Sequence, residues 1–130
     1  MAAAPAFAAT PRIGNANATT NSNRDGTGTA PATVITAGSS GTQIREVVIK
    51  STSDPADSVV VLWLHDGTNL VLFDEIDIGD PAAGSNTVTA YRTSVRYDNL
   101  FLPTSWSLRA TVTVAPTAGN VVVIALGADL

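Results

Sequence analysis

The chain is 130 residues long, its formal net charge at pH 7 is −4, and only 14% of its residues are charged. This length accommodates one domain, and the seven basic residues are too few and too scattered for the electrostatic contact that nucleic acids require. The absence of cysteine excludes a disulfide scaffold and thiolate metal sites. No apolar run approaches the ~20 residues of a membrane span, so we expect neither a nucleic acid nor a membrane as a partner.

The first 33 residues carry almost no side chains that could form a core. Their large apolar residues are Phe7 and Ile13, and their charged residues are Arg12, Arg24 and Asp25. Such a segment cannot bury enough apolar surface to offset its own ordering entropy. The sequence therefore predicts a long extended N-terminal arm over residues 1–33 and a β-domain over residues 34–130. These five side chains are the candidate anchors of the arm.

After residue 33 the chain consists of short apolar segments separated by turn residues. Strands are predicted at residues 34–35, 43–50, 58–65, 70–78, 86–97, 100–103, 106–114 and 120–126. The turn Asp66-Gly67-Thr68-Asn69 joins two of them, so residues 58–78 are predicted to form a β-hairpin. The continuous apolar run Val59 to Leu64 indicates that the first strand of this hairpin is buried on both faces.

The clearest alternation lies in residues 106–114, where apolar and polar side chains take opposite faces. Trp106, Leu108, Ala110, Val112 and Val114 share one face, while Ser107, Arg109, Thr111 and Thr113 share the other. This pattern predicts a half-buried antiparallel strand. With no helical period in the chain, the predicted fold is all-β, an antiparallel β-sandwich or jelly roll of about seven or eight strands.

Few residues are suited to catalysis. His65 is the single histidine and lies beside Asp66, but the chain has no G-x-S-x-G nucleophile elbow. We expect His65 to form local hydrogen bonds at the end of a strand. The sequence therefore predicts no catalytic residues, no cofactor and no enzymatic activity.

One acidic cluster and four aromatic residues remain as candidate binding groups. The cluster consists of Asp74, Glu75, Asp77 and Asp80. In a strand, Asp74 points away from Glu75 and Asp77, which favours a solvated strand end over a Ca²⁺ site. The aromatic residues Trp63, Trp106, Tyr91 and Tyr97 could stack on a sugar, although the apolar surroundings of both tryptophans favour core packing.

Four stretches of the chain carry a resemblance to a known family. They are residues 11–14 (PRIG), 23–28 (NRDGTG), 62–69 (LWLHDGTN) and 102–110 (LPTSWSLRA). With them the chain resembles a family of small bacteriophage virion proteins that are found with capsid genes and decorate the head. The resemblance covers most of the chain. It implies a β-sandwich-like decoration (cement) protein that is oligomeric, often trimeric on the shell, and without catalytic residues.

The expected function is therefore that of a decoration protein, located on the virion, that binds the outer capsid surface and stabilises the shell. Its expected partners are the major capsid protein and further copies of itself in a homotrimer. Phe7 and Ile13 are the predicted apolar contacts of the arm with the capsid or a neighbouring subunit, and Arg12, Arg24 and Asp25 the polar ones. Two alternatives stay open: a phage tail, baseplate or fibre module, and a carbohydrate-binding β-sandwich module.

Overall fold

The computed structural model describes residues 10–130, and all regular structure in this range is β-strand. The strands are β1 (Thr10–Asn17), β2 (Thr19–Thr20), β3 (Ala32–Thr36), β4 (Thr42–Ser51), β5 (Ser58–His65), β6 (Leu70–Gly79), β7 (Arg92–Leu102), β8 (Ser107–Val112) and β9 (Val121–Asp129). They form two sheets that enclose a common core. Within the described range, no helix is long and apolar enough to cross a membrane.

The strand order is that of a jelly roll. Sheet A has the order β1-β9-β4-β7, and sheet B contains β8, β5 and β6, with β2 and β3 paired to different parts of the free edge of β8. Four of the six antiparallel pairs are β1 with β9, β3 with β8, β4 with β7 and β5 with β6. First strand thus pairs with last, and so on inward to a central hairpin, which is the nested pairing of a jelly roll. The predicted all-β sandwich is confirmed.

The core between the sheets is built from the inward-facing residues of both. Ile44, Val47 and Ile49 of β4 are fully buried in it, together with Leu62 of β5 and Leu108 of β8. The apolar face predicted for residues 106–114 is confirmed for Leu108, Ala110 and Val112, which have no exposed surface. Residues 92–97 and 100–102 of two predicted elements belong to one strand, β7, in which three residues (97–99) bulge opposite Arg45. The strand predicted to begin at residue 86 is wrong over residues 86–91, which form no strand.

Residues 10–20 differ from the predicted arm because they belong to the two sheets. β1 pairs with β9 along all eight of its residues, and β2 pairs with Thr111 and Val112 of β8. The inward positions of β1 include Gly14 and Ala16, and a Cβ added at Gly14 would lie only 2.3 Å from the carbonyl oxygen of Val34. Since backbone pairing needs no large side chain, the hydrophobic pattern of the sequence contains no sign of this strand.

Residues 21–31, which we call the covering loop, lie across the outer face of sheet B. Asn21 N donates to the carbonyl oxygen of Val112 at 2.9 Å, and Arg24 Nε donates to Glu75 Oε1 on β6. The side chain of Asn21 donates to the carbonyl oxygens of Thr27 and Thr29 at 2.8 and 2.9 Å, so the loop is held together by its own polar groups.

The covering loop buries residues that the alternation alone would leave exposed. Val61, Trp63 and Thr111 lie on the outer face of sheet B, yet their exposed fractions are 1%, 2% and 0%. Trp63 Nε1 donates to Thr111 Oγ1 at 3.0 Å within this second buried layer. The prediction that β8 is half-buried is therefore wrong at Thr111, since the loop covers the polar face of the strand.

Candidate assembly surface

The outer face of sheet A carries apolar side chains in adjacent rows, which range from exposed at Ile13 through partly exposed on β9 to 7% exposed at Val48. Ile13 of β1 is 68% exposed, and the strand register places it opposite Leu126 of β9. Ile124 and Val122 continue this row along β9, and Val48 of β4 lies opposite Ile124. We call Ile13, Val48, Val122, Ile124 and Leu126 the apolar stripe.

The stripe exists because β9 is apolar on both faces. Val121, Val123 and Ala125 point inward and are almost completely buried, so the alternate residues Val122, Ile124 and Leu126 point outward, where they are only partly covered. An antiparallel sheet that faces water on one side normally carries polar residues there. A contiguous apolar surface of this kind is typical of a contact with another protein.

Polar groups border the stripe on both sides. On β4 and β7, Arg96 Nε lies 3.5 Å from Glu46 Oε2, and Lys50 Nζ donates to the carbonyl oxygen of Ala90 at 2.9 Å. On β1, Asn15 and Asn17 point outward and are exposed. An apolar centre with a polar rim is the usual composition of a protein–protein interface.

The face is large enough for a specific contact. Sheet A is four strands wide, and the pairing of β1 with β9 runs over eight residues. With ~4.8 Å between strands and ~3.3 Å per residue, the face measures about 19 by 26 Å, or about 500 Å². If neighbouring subunits covered this face, two copies would together remove about 1,000 Å² from water, which is the lower limit of a specific interface.

Of the five predicted arm contacts, Ile13 lies on the stripe and Arg12 lies on the opposite side of β1. Arg12 Nη1 donates to Asp129 Oδ1 at 2.9 Å, and Nη2 donates to the carbonyl oxygen of Thr36 at 3.0 Å. Thr42 Oγ1 also donates to Asp129 Oδ1, at 2.6 Å. The hydrogen bond from Thr42, followed by that from Arg12, lowers the pKa of Asp129 below its ordinary value. Arg12 thus joins β1 to β9 and β3.

Arg24 and Asp25 lie in the covering loop. Arg24 pairs with Glu75, and Asp25 Oδ1 accepts hydrogen bonds from Thr27 N at 3.0 Å and Thr27 Oγ1 at 2.6 Å. The side-chain and backbone hydrogen bonds of Thr27 lower the pKa of Asp25. Both predicted polar contacts therefore have partners within the chain. Phe7 lies outside the described residues.

His65 and Asp66 shape the turn between β5 and β6. His65 Nδ1 accepts a hydrogen bond from Gly67 N at 3.2 Å. Asp66 Oδ1 accepts hydrogen bonds from Asn69 N at 2.7 Å and Thr68 N at 2.8 Å, and these bonds lower the pKa of Asp66. Each of these side chains thus organises a tight turn, which Gly67 completes with φ +99°.

The acidic cluster is divided between the two sides of β6. Asp74 Oδ2 accepts a hydrogen bond from Tyr97 Oη at 2.7 Å, whereas Glu75 on the other side pairs with Arg24. Burial, together with this hydrogen bond to Asp74, raises the pKa of Tyr97. Among residues 10–130, no group of three or more histidine, aspartate or glutamate side chains is placed to hold a metal ion.

The four aromatic residues do not form a common platform. Trp63 is buried below the covering loop, while Trp106 packs at the margin of the core. Tyr97 packs against Phe73 with their ring centroids 5.3 Å apart, and the Tyr91 hydroxyl group reaches the carbonyl oxygen of Asp77 at 3.5 Å. Tyr97 of β7 and Tyr91, which immediately precedes β7, therefore contact β6 at one open edge of the sandwich.

A cavity of about 400 Å³, which we call the loop cavity, opens between the covering loop and the β5–β6 turn. Its polar lining residues are Asp25, Thr27, His65, Thr68, Asn69 and Arg109, and its larger apolar ones are Pro31 and Leu70. The site could not be predicted from the sequence, because its residues come from three separate segments of the chain. No local motif connects them.

Comparisons of the chain with protein-family models, with curated proteins and with solved structures found no match.

Proposed function

We propose that this protein is a structural protein of a bacteriophage virion, a decoration protein that binds the outer capsid surface and stabilises the shell. The observation that carries the proposal is the apolar stripe on the outer face of sheet A. A jelly roll is a fold of viral capsid domains and also of lectins, so the fold alone supports the proposal only by analogy. The stripe adds a surface that suits assembly.

In this proposal the stripe joins copies of the chain into a homotrimer. Burying Ile13, which is 68% exposed, would contribute roughly 1–2 kcal/mol per copy, since full burial of an exposed isoleucine side chain contributes about 1.5–3 kcal/mol. The folded domain of the trimer would bind the major capsid protein, with Phe7 as an apolar contact of the N-terminal segment. Arg12, Arg24 and Asp25 hold the domain together in this scheme, since their partners lie in the same chain.

The first test is the molar mass of the purified full-length protein by light scattering after size exclusion. We expect a discrete trimer for the wild type and a monomer for Ile13→Asp, because the new carboxylate would be desolvated in the interface. Val71→Asp is the matched control: Val71 is 55% exposed on β6, away from the stripe, so its trimer should persist. A monomeric wild type, or equal masses for both variants, would contradict the role of the stripe.

The second test locates the protein on particles. Antibodies against the chain should label the heads of virions of the phage that encodes it, as seen by electron microscopy. Label on tails, baseplates or fibres would contradict the decoration role and support a tail, baseplate or fibre module. Virions without label would contradict both hypotheses. Deletion of residues 1–30 is unsuitable here, because it removes β1 and the covering loop from the domain.

A further inference from the structure

The loop cavity contains hydrogen-bond donors that have no partner within residues 10–130. Arg109 Nε donates to Ser107 Oγ at 3.0 Å, but its two Nη groups donate to no residue in this range. His65 Nδ1 is occupied as an acceptor by Gly67 N, so a ring proton lies on Nε2, which donates to no residue in this range. Both groups line the same cavity.

The cavity also contains free acceptors. The Oδ1 atom of Asp25 is taken by Thr27, whereas Oδ2 accepts no hydrogen bond from residues 10–130. The hydrogen bonds from Thr27 favour the ionised carboxylate at neutral pH. Asn69 also lines the cavity, and its amide group, which can donate and accept, makes no hydrogen bond within the described range.

This combination of groups favours a neutral ligand that carries both donors and acceptors. A simple anion would be attracted by Arg109 but repelled by Asp25, and a simple cation would be attracted by Asp25 but repelled by Arg109. A neutral ligand with many hydroxyl groups satisfies both, because each hydroxyl group donates and accepts. Pro31 and Leu70 add apolar surface on which the C–H groups of a sugar ring can pack. The volume of about 400 Å³ lies in the usual range of small-ligand sites, ~300–1,000 Å³.

We propose that the loop cavity is a binding site for a neutral carbohydrate. Arg109 and His65 donate hydrogen bonds to its hydroxyl groups, Asp25 accepts from them, and Asn69 does both. The site is distinct from the aromatic platform expected from the sequence, since it uses none of the four tryptophan and tyrosine residues. It depends on neither the trimer nor the location of the protein on a virion.

The test uses the full-length protein on an array of immobilised glycans that includes neutral, sialylated and uronic-acid glycans. We expect binding to neutral glycans, followed by titration of the strongest one as a free saccharide, monitored by NMR. In Asp25→Asn the free acceptor becomes a donor while the oxygen bonded to Thr27 is kept. A lost hydrogen bond to a charged group weakens binding by roughly 10- to 100-fold, and Asn69→Ala should weaken it about 10-fold.

Asp98→Asn is the matched control, because Asp98 is an exposed carboxylate on β7 outside the cavity. Its affinity should equal that of the wild type, and near-ultraviolet circular dichroism should show the same fold for all three variants. Three outcomes would overturn the proposal: no neutral glycan is bound, the affinity is unchanged in Asp25→Asn and Asn69→Ala, or only acidic glycans bind and Asp25→Asn strengthens that binding.

Discussion

The replacement of Gly14 by alanine tests whether residues 10–17 are an integral strand of the domain. The added Cβ would lie 2.3 Å from Val34 O, 2.7 Å from Ile35 Cβ and 3.1 Å from Ile35 Cγ1. Neither the carbonyl oxygen nor the Cβ atom can rotate away. To reach an ordinary contact of about 3.4 Å, β1 would have to move about 1 Å away from β3, against its pairing with β9.

Gly14→Ala is expected to lower the free energy of unfolding, whereas a flexible arm, as predicted from the sequence, would leave it unchanged or raise it. In a flexible arm, Gly→Ala would be neutral or would stabilise by roughly 0.4–1 kcal/mol, because alanine restricts the unfolded chain. In the packed strand, the overlap with β3 costs about 1–3 kcal/mol. We therefore expect the free energy of unfolding of Gly14→Ala to fall by about 1–2 kcal/mol, which corresponds to a decrease in Tm of roughly 4–8 °C.

The measurement is urea unfolding followed by tryptophan fluorescence, in parallel with a thermal melt. Asn15→Ala is the matched control, since Asn15 is the next residue of β1 and its side chain points outward and is exposed. Its stability should stay within ~0.5 kcal/mol of the wild type. A Gly14→Ala protein that is as stable as the wild type, or more stable, would refute the packing of β1 against β3.

Two further variants test the partners of Asp129 and Trp63. The hydrogen bond from Thr42 and the contact with Arg12 lower the folded-state pKa of Asp129. The ionised Asp129 therefore stabilises the fold above its unfolded pKa, near 3.8. This stabilisation is lost as the pH falls through the folded-state pKa. Asp129→Asn should therefore flatten the decline of Tm below about pH 4, and a decline as steep as that of the wild type would argue against the contact. Trp63→Phe removes the buried hydrogen bond to Thr111 Oγ1 and should lower the free energy of unfolding by about 1–3 kcal/mol; a loss below ~0.5 kcal/mol in urea would contradict it.

Features that depend on neighbouring residues could be predicted from the sequence. The strand at 58–65 coincides with β5, and the turn residues Asp66 to Asn69 lie between β5 and β6 as expected. The inward face of β8 follows the alternation of Leu108, Ala110 and Val112. These features are local because side chains alternate between the two faces of a strand and because Asp and Gly favour tight turns.

The neighbours of Ile13 could not be predicted from the sequence. Its isolation among small and polar residues indicated a side chain without a local core, but the stripe arises only because β9, more than 100 residues later in the chain, places Leu126 opposite it. The side chain of Leu126 points outward because Ala125 and Val123 occupy the core. Because residues 121–126 are apolar on both faces of the strand, their sequence alone does not predict which face packs against the second sheet.

The sequence by itself therefore determined the β-class, the central hairpin and the inward faces of the long strands, because alternation and turn chemistry act between near neighbours. Only the tertiary structure decided that β1 closes sheet A, that the covering loop buries Trp63 and Thr111, and that Asp25 and Arg109 share a cavity. The contacts involved are backbone pairings and hydrogen bonds between distant segments. They require small or polar residues, which carry no hydrophobic periodicity from which they could be predicted.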